Sequence, residues 1–483
     1  MKALLLLGVF FLSKLLCSQN LINYGQTNTA GIYGTLSNPA LAAGSTDYLS
    51  INLAGAGLTL ENNLIHSKLK YSLYQIITLQ HKRDQQPHHS PPYFEEAPKK
   101  RTTPSFYLNT QVLLPSVKFN ITPKVAAFVY ARERVTGNVV EVASNIMPVF
   151  TDRKSPYVPK GTDYKTDIRV LGYREVAAGL SMVVYDRREA RVKIGVTVKQ
   201  ITARFAYVFN VAQFEANVTT NEVSILSRYR IINTDINSLS QKPDAFVLGT
   251  VSAGTGMGLD AGIVYEHRPY RLRNRYTVLN PKGRNKNFRQ RDLIKYDYRI
   301  GVALLDWGKV ELSSKNTQDR VLEAQSTLDL RRAPTPEEYE RELKKNERVL
   351  SEQKNTVLNL PAVLMLTGDY RINRQWFINI SYAQNLRSTK KAENFYAPTA
   401  INALLRKEMQ HITYGIPLRV VPRTSTVTLG SFIQAGPFFA GTDNIFTFFN
   451  RRMYNPSVYA GLCYTIKYRK DPTIETFKNF GQF

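Results

Sequence analysis

The sequence predicts an all-β fold: a closed antiparallel transmembrane β-barrel. Three observations carry this expectation: an export signal at the N-terminus, long strands with two unlike faces, and no apolar run long enough for a helical span. The chain has 483 residues, 43% of them hydrophobic, with 28 Tyr and 23 Phe. That is ample for one large folded unit. No Pro/Ser/Gly-rich linker divides it, and the strand texture continues from residue 48 to residue 468, so one closed sheet accounts for the chain better than several soluble domains.

Residues 1–18 read as a signal peptide. Met1 and Lys2 make a positive start, Ala3 to Leu12 are apolar, and Cys17, Ser18 and Gln19 supply a cleavage zone. The expected cut follows Ser18. Lipidation at Cys17 is disfavoured because Leu16 stands where a small residue is usual. Further on, the longest apolar runs, Ala177 to Tyr185 and Asn359 to Gly368, fall well short of the roughly 18 residues of a helical span. Once Cys17 leaves, Cys463 is alone, so stability must come from backbone pairing and packing rather than a disulfide.

The strands alternate with period two. Val192, Ile194, Val196 and Val198 share one face while Lys193, Gly195, Thr197 and Lys199 share the other. The same split recurs at Val176 to Val184, Ile300 to Leu304, Trp376 to Tyr382 and Val458 to Tyr468. Sandwich strands are shorter, about 5–6 residues. Here the second face is small or polar, as suits a hydrated lumen, and a sheet facing lipid must close on itself because hydrocarbon cannot satisfy its edges. Aromatic residues near strand ends (Tyr173, Tyr185, Tyr207, Phe209, Tyr296, Tyr298, Trp307, Trp376, Phe377, Phe446, Phe448, Phe449 and Tyr468) are expected to form girdles at the membrane interfaces. Export and barrel together place the protein in the outer membrane of a Gram-negative bacterium.

Three segments interrupt the strands. Residues 80–104 are polar and proline-rich. Residues 266–295 are densely basic. Residues 319–356 read as an exposed helical insertion, with Thr335, Pro336 and Glu338 forming a capping box ahead of a charge-laced body.

Formal net charge is +26. Nucleic acid is excluded as partner by the export signal, which leaves outer-membrane lipid or lipopolysaccharide, or an acidic outer-membrane or periplasmic protein. The cations concentrate between Arg268 and Lys295, where Arg268, Arg271, Arg273, Arg275, Arg284, Arg289 and Arg291 are joined by Lys282, Lys286 and Lys295 against a single acid, Asp292. Arginine suits bidentate oxyanion recognition, so this loop is the candidate anion-binding site. The side of the membrane it faces is left open by the sequence.

No catalytic, cofactor or metal site is expected. His81, His88 and His89 share a loop but match no ligand spacing. Gly254, Gly256 and Gly258 depart from a dinucleotide fingerprint, no Walker lysine follows, and no G-x-S-x-G elbow occurs. The glycines fit a strand start or a bend in the wall.

At residues 37–44 the chain reads SNPALAAG. This resembles the Asn-Pro-Ala hatch segment of the long-chain fatty-acid transporter superfamily of outer-membrane barrels, which makes Asn38, Pro39 and Ala40 the hatch motif and residues 19–47 the hatch, followed by the barrel over 48–483. The runs at 172–199, 254–269, 367–387 and 436–446 resemble DUF5723, a family of Bacteroidota outer-membrane proteins. That resemblance implies about 14 strands and assigns no substrate. Two functions lead, a hatch-gated channel or transporter for small solutes and a non-transporting scaffold or adaptor of an outer-membrane secretion or assembly complex, with an outer-membrane enzyme a distant third. The small, polar inward faces argue against apolar cargo.

Overall fold

A computed structural model describes residues 21–63, 65–68, 105–140, 165–187, 189–234, 252–269, 296–332, 334–409, 411–450 and 455–468, with short pieces at 72, 74, 94–96, 275–279, 285–289 and 452–453. The signal peptide and the histidine-bearing loop lie outside these residues. The wall has fourteen antiparallel strands. They are β1 (Asp47–Asn62), β2 (Ser105–Leu113 continued by Ser116–Thr122), β3 (Val125–Val140), β4 (Thr166–Arg187), β5 (Ala190–Val218), β6 (Gly254–His267) and β7 (Tyr298–Leu312). There follow β8 (Thr356–Asn359 and Val363–Arg371), β9 (Trp376–Asn385), β10 (Ala400–Glu408), β11 (Ile412–Val421), β12 (Thr426–Leu429 and Ser431–Ala435), β13 (Phe438–Thr442) and β14 (Ser457–Lys467). Each pairs with its neighbours in chain order, and β1 closes the ring on β14 from Asp47 opposite Lys467 to Thr59 opposite Ser457.

Side-chain parity turns the usual core inside out. Ile194, Val196 and Val198 are exposed on the outer wall, whereas Lys193, Thr197 and Lys199 between them are buried. Val176, Leu180, Met182 and Val184 on β4 and Ile300 and Val302 on β7 join the same outward apolar band. Water would not tolerate so much contiguous exposed apolar surface; a bilayer solvates it. Among the aromatics expected at the interfaces, Tyr185, Tyr298, Trp307, Phe446 and Phe449 do face outward. Tyr173, Tyr296 and Phe377 do not. They are buried inside, Tyr173 and Phe377 because strand parity points them into the lumen and Tyr296 because, just ahead of β7, its hydroxyl bonds Asn28 and Asp369.

The two mouths differ. One carries the turns at 123–124, 372–375 and 436–437, the ends where β4 meets β5 and β10 meets β11, and the start of β1 and the end of β14. The basic segment leaves from this short-turn mouth too, since His267 pairs with Ala190 and with Tyr298 there. Within it, Arg275–Leu279 and Asn285–Arg289 form a hairpin. The opposite mouth carries the long connections, and β5 runs on past the ring to pair with Glu222–Thr234, which pairs with Thr317–Asp329 and that in turn with Glu347–Gln353.

This extension revises the reading of residues 319–356 as a helical insertion. The capping box at Thr335 and Glu338 forms as expected, but the helix spans only Pro336–Lys345. The flanks are strands because their alternating residues, among them Leu322 and Ala324, pack against Val211 and Tyr229 on the neighbouring strands. Charge-rich composition concealed that period.

Candidate functional site

Fourteen strands enclose more space than wall side chains fill, since about eight strands leave a lumen just wide enough for them. Among the described residues, two segments separate from the wall occupy it. At the short-turn mouth it is the N-terminal segment, two short helical turns (Leu21–Gly25 and Tyr33–Ser37) and a 3-10 turn at Pro39–Leu41. Tyr24 stacks on Phe439 with ring centroids 4.1 Å apart, and Tyr33 meets the same ring edge-on at 4.9 Å. Tyr33 also donates its hydroxyl to Asn52 Oδ1 at 2.5 Å.

The three motif residues are all buried at the wall. Asn38 Oδ1 accepts from the Ala40 amide at 2.9 Å, capping the 3-10 turn, while Nδ2 donates to the carbonyls of Ile263 and Val302, each at 3.3 Å. Ser181 Oγ donates to the Ala40 carbonyl and accepts from the Ala43 amide, both at 3.2 Å. The wall makes room with glycine: a Cβ on Gly195 would stand 2.4 Å from the Pro39 backbone, and one on Gly262 only 2.1 Å from Asn38 Oδ1. The glycines the sequence singled out serve a neighbouring purpose. A Cβ on Gly254 or Gly256 would meet the backbone of β7 at 2.2 or 2.0 Å.

Ion pairs complete the seating. Glu408 accepts from the Asn28 amide at 2.9 Å and from Arg406 Nε at 2.7 Å. Asn28 Oδ1 accepts from the Tyr296 hydroxyl at 2.9 Å, and Arg299 donates to the Gln26 carbonyl at 3.2 Å. Asp369 receives Arg299 at 2.9 Å and both arms of Arg406 at 2.7 and 2.8 Å.

Deeper in the lumen lies a second charged layer. Glu175 and Asp306 are shared by Arg132 and Arg134, with Arg132 Nε 2.6 Å from Glu175 and Arg134 Nη1 2.7 Å from Asp306. Lys199 joins Asp306 at 2.5 Å to Asp260 at 2.7 Å. Asp306 has φ of +55° and sits where β7 bulges against Asp260, whose carboxylate accepts the Asp306 amide at 2.7 Å. With three cations and three carboxylates mutually paired, the layer avoids the cost of an unpartnered buried charge.

Above it the interior turns apolar. Leu171, Tyr173, Ile201, Val208, Val310, Leu358 and Leu360 pack around Phe395. This corrects the expectation of uniformly small, polar inward faces, which holds only nearer the short turns. Phe395 belongs to the connection 386–399, folded inward from the long-loop mouth. Asn138 holds it at both backbone groups of Tyr396, at 2.9 and 3.2 Å, while Arg169 donates to the carbonyls of Asn394 and Thr389.

Of the seven arginines read as an anion-binding loop, Arg268 is described in full and bonds Asp186 at 3.2 Å. Arg275 and Arg289 are register partners in the hairpin. Arg271, Arg273, Arg284 and Arg291 lie outside the described residues. Arg268 also lines a recess of about 60 Å³ between the N-terminal segment and the wall. The charged layers and the inward connection escaped the sequence reading because their partners lie far apart in the chain. An available signal was the inward parity of Lys193 and Lys199, which obliges acids on the strands beside them.

Comparisons with known proteins give the following. The model for the family of unknown function DUF5723 matches residues 39–443. No curated protein matches the chain. Among solved structures, the TodX monoaromatic hydrocarbon channel deltaS2 mutant aligns at 9% identity with a TM-score of 0.39, covering 91% of this chain and 95% of that one. The Pseudomonas putida toluene transporter TodX aligns at 8% identity and 0.31, covering 90% and 93%. A Pseudomonas aeruginosa FadL homologue aligns at 10% identity and 0.18, covering 90% and 92%. With a family match over most of its length, the chain belongs to DUF5723.

Proposed function

We propose that the protein is an outer-membrane channel for small solutes, gated by its N-terminal segment acting as a hatch. One observation carries the reading: the lumen is stoppered at each end by a segment that is not part of the wall, and the N-terminal one is seated both by packing of Tyr24, Ile32 and Tyr33 against wall aromatics and by polar bonds to inward strand positions. Short turns mark the periplasmic side of outer-membrane barrels and longer loops the outer side, which favours a periplasmic position for the hatch. The charged layer across the passage favours polar solutes, with the apolar layer beyond it admitting small apolar portions. To test this, proteoliposomes containing the full chain and a variant lacking residues 21–44 with 388–398 shortened are compared by swelling in a solute size series. Uptake by the variant alone is the expected outcome. Equal silence of both argues for the second reading.

That second reading is the scaffold. The basic segment 268–295 emerges at the short-turn mouth, a position that favours an acidic periplasmic partner over lipopolysaccharide. Co-purification of a stoichiometric acidic protein, lost when Arg271, Arg273, Arg284 and Arg291 become Gln, supports it.

A further inference from the structure

We infer that the recess between the N-terminal segment and the wall is a binding site for a small oxyanion, a phosphate or carboxylate group entering from the short-turn mouth. The cavity of about 60 Å³, room for a small oxyanion, is lined by Lys118, Arg191, Lys193, Arg268 and Arg299 against Asp47 and Glu266. Two of the five cations are paired with acids that the other three do not touch: Lys118 bonds Asp47 at 2.5 Å, and Arg299 bonds Asp369 outside the lining at 2.9 Å. The other three converge on one acid. Glu266 takes Lys193 in direct contact, Arg191 at 3.6 Å and Arg268 at 4.0 Å. Arg268 has Asp186 besides, but Arg191 and Lys193 share a carboxylate that neutralises one of them.

Arg191 is 6% exposed, and its Nε makes no hydrogen bond. One of its terminal nitrogens donates to the Gly44 carbonyl at 3.2 Å, a weakly charged acceptor for a buried guanidinium. Gly44, at φ +61°, is shaped to this cation: any Cβ there would sit 1.8 Å from Arg191 Nη2. A surplus of positive charge held out of bulk water is stabilised by an anion more than by solvent screening, and the guanidinium fork suits an oxyanion with two acceptor oxygens. The recess lies at the root of the basic segment, whose field concentrates anions at this mouth. Binding does not depend on the hatch opening, so the inference stands apart from gating.

The experiment titrates inorganic phosphate, and separately succinate, into the full chain in neutral detergent by calorimetry, at low and at physiological ionic strength. Saturable binding is expected, with phosphate and succinate competing. Arg191→Gln with Lys193→Gln weakens it by about 10- to 100-fold, as loss of charge-assisted hydrogen bonds implies. Glu266→Gln removes the competing carboxylate and tightens binding, a gain that misfolding cannot imitate. Arg284→Gln, Arg289→Gln and Arg291→Gln together leave the affinity at physiological ionic strength within about threefold, because charges that do not line the recess act through solvent with a Debye length of about 8 Å. The inference is overturned by absence of saturable binding to the wild type, by insensitivity to the recess variants, by weakening in Glu266→Gln, or by loss only in the segment variant.

Discussion

Replacing Asn38 with Ala removes three hydrogen bonds from the N-terminal segment at once: the cap on the Ala40 amide and the two bonds to the carbonyls of Ile263 and Val302. A lost cap costs about 1 kcal/mol. Each wall bond, at the long distance of 3.3 Å, contributes about 0.5–1 kcal/mol. The seated state is therefore weakened by about 2–3 kcal/mol, and since 1.4 kcal/mol is tenfold, the displaced population rises roughly 30- to 150-fold. Cys463 provides the readout. Its thiol is 1% exposed and shares a hydrogen bond with Ser50 Oγ, which in turn accepts the Ile32 amide of the segment at 3.1 Å. In a Cys17→Ser background, reaction of Cys463 with a membrane-impermeant maleimide follows the displaced population when reseating is fast. The expected result is slow labelling of the wild type and a rise of that size in Asn38→Ala, with no rise in the lipid-face control Ile194→Ala. Equal rates for wild type and Asn38→Ala would refute the latch, and fast labelling of the wild type would refute the seated segment altogether.

Gly195→Val forces a side chain into the Pro39 backbone 2.4 Å from the Cβ position, so it should unseat the segment and speed Cys463 labelling while leaving outer-membrane insertion intact by heat-modifiable migration. Asp306→Asn keeps a residue that tolerates positive φ but leaves Arg134 and Lys199 short of a buried partner; loss of about 3–5 kcal/mol is expected, read as a lowered urea midpoint of the heat-modifiable band. Deleting Pro336–Lys345 with a short Gly-Ser replacement should preserve insertion, whereas deleting 317–353 bares the edge of Glu222–Thr234 and should cause aggregation measurable by light scattering.

The wall was legible because lipid on one side and a lumen on the other force a period of two, and Val192 to Lys199 displayed it without interruption. Asn38, Pro39 and Ala40 were legible as a compact motif, and the burial of all three against Ser181, Gly195 and Gly262 agrees with a segment of small residues. The helix was legible only at its cap. Over Thr317–Asp329 and Glu347–Gln353, frequent charge hid strands that pair outside the ring. The bulge at Asp306 reverses parity within β7, so a uniform alternation could not reveal the apolar layer above it. Nor could the pairing of Asp306 with Arg134, 172 positions away, be read from local pattern, since contacts of that separation are set by how the ring closes.

The most direct test of the central claim, that two non-wall segments close an otherwise open lumen, is single-channel conductance in planar bilayers for four chains: full length, lacking residues 21–44, with 388–398 shortened, and with both changes. The account predicts a silent full-length chain, at most small steps for either single change, and large steps for the combined one. A full-length chain that already conducts, or a combined variant that inserts as a heat-modifiable barrel yet stays silent, would contradict it.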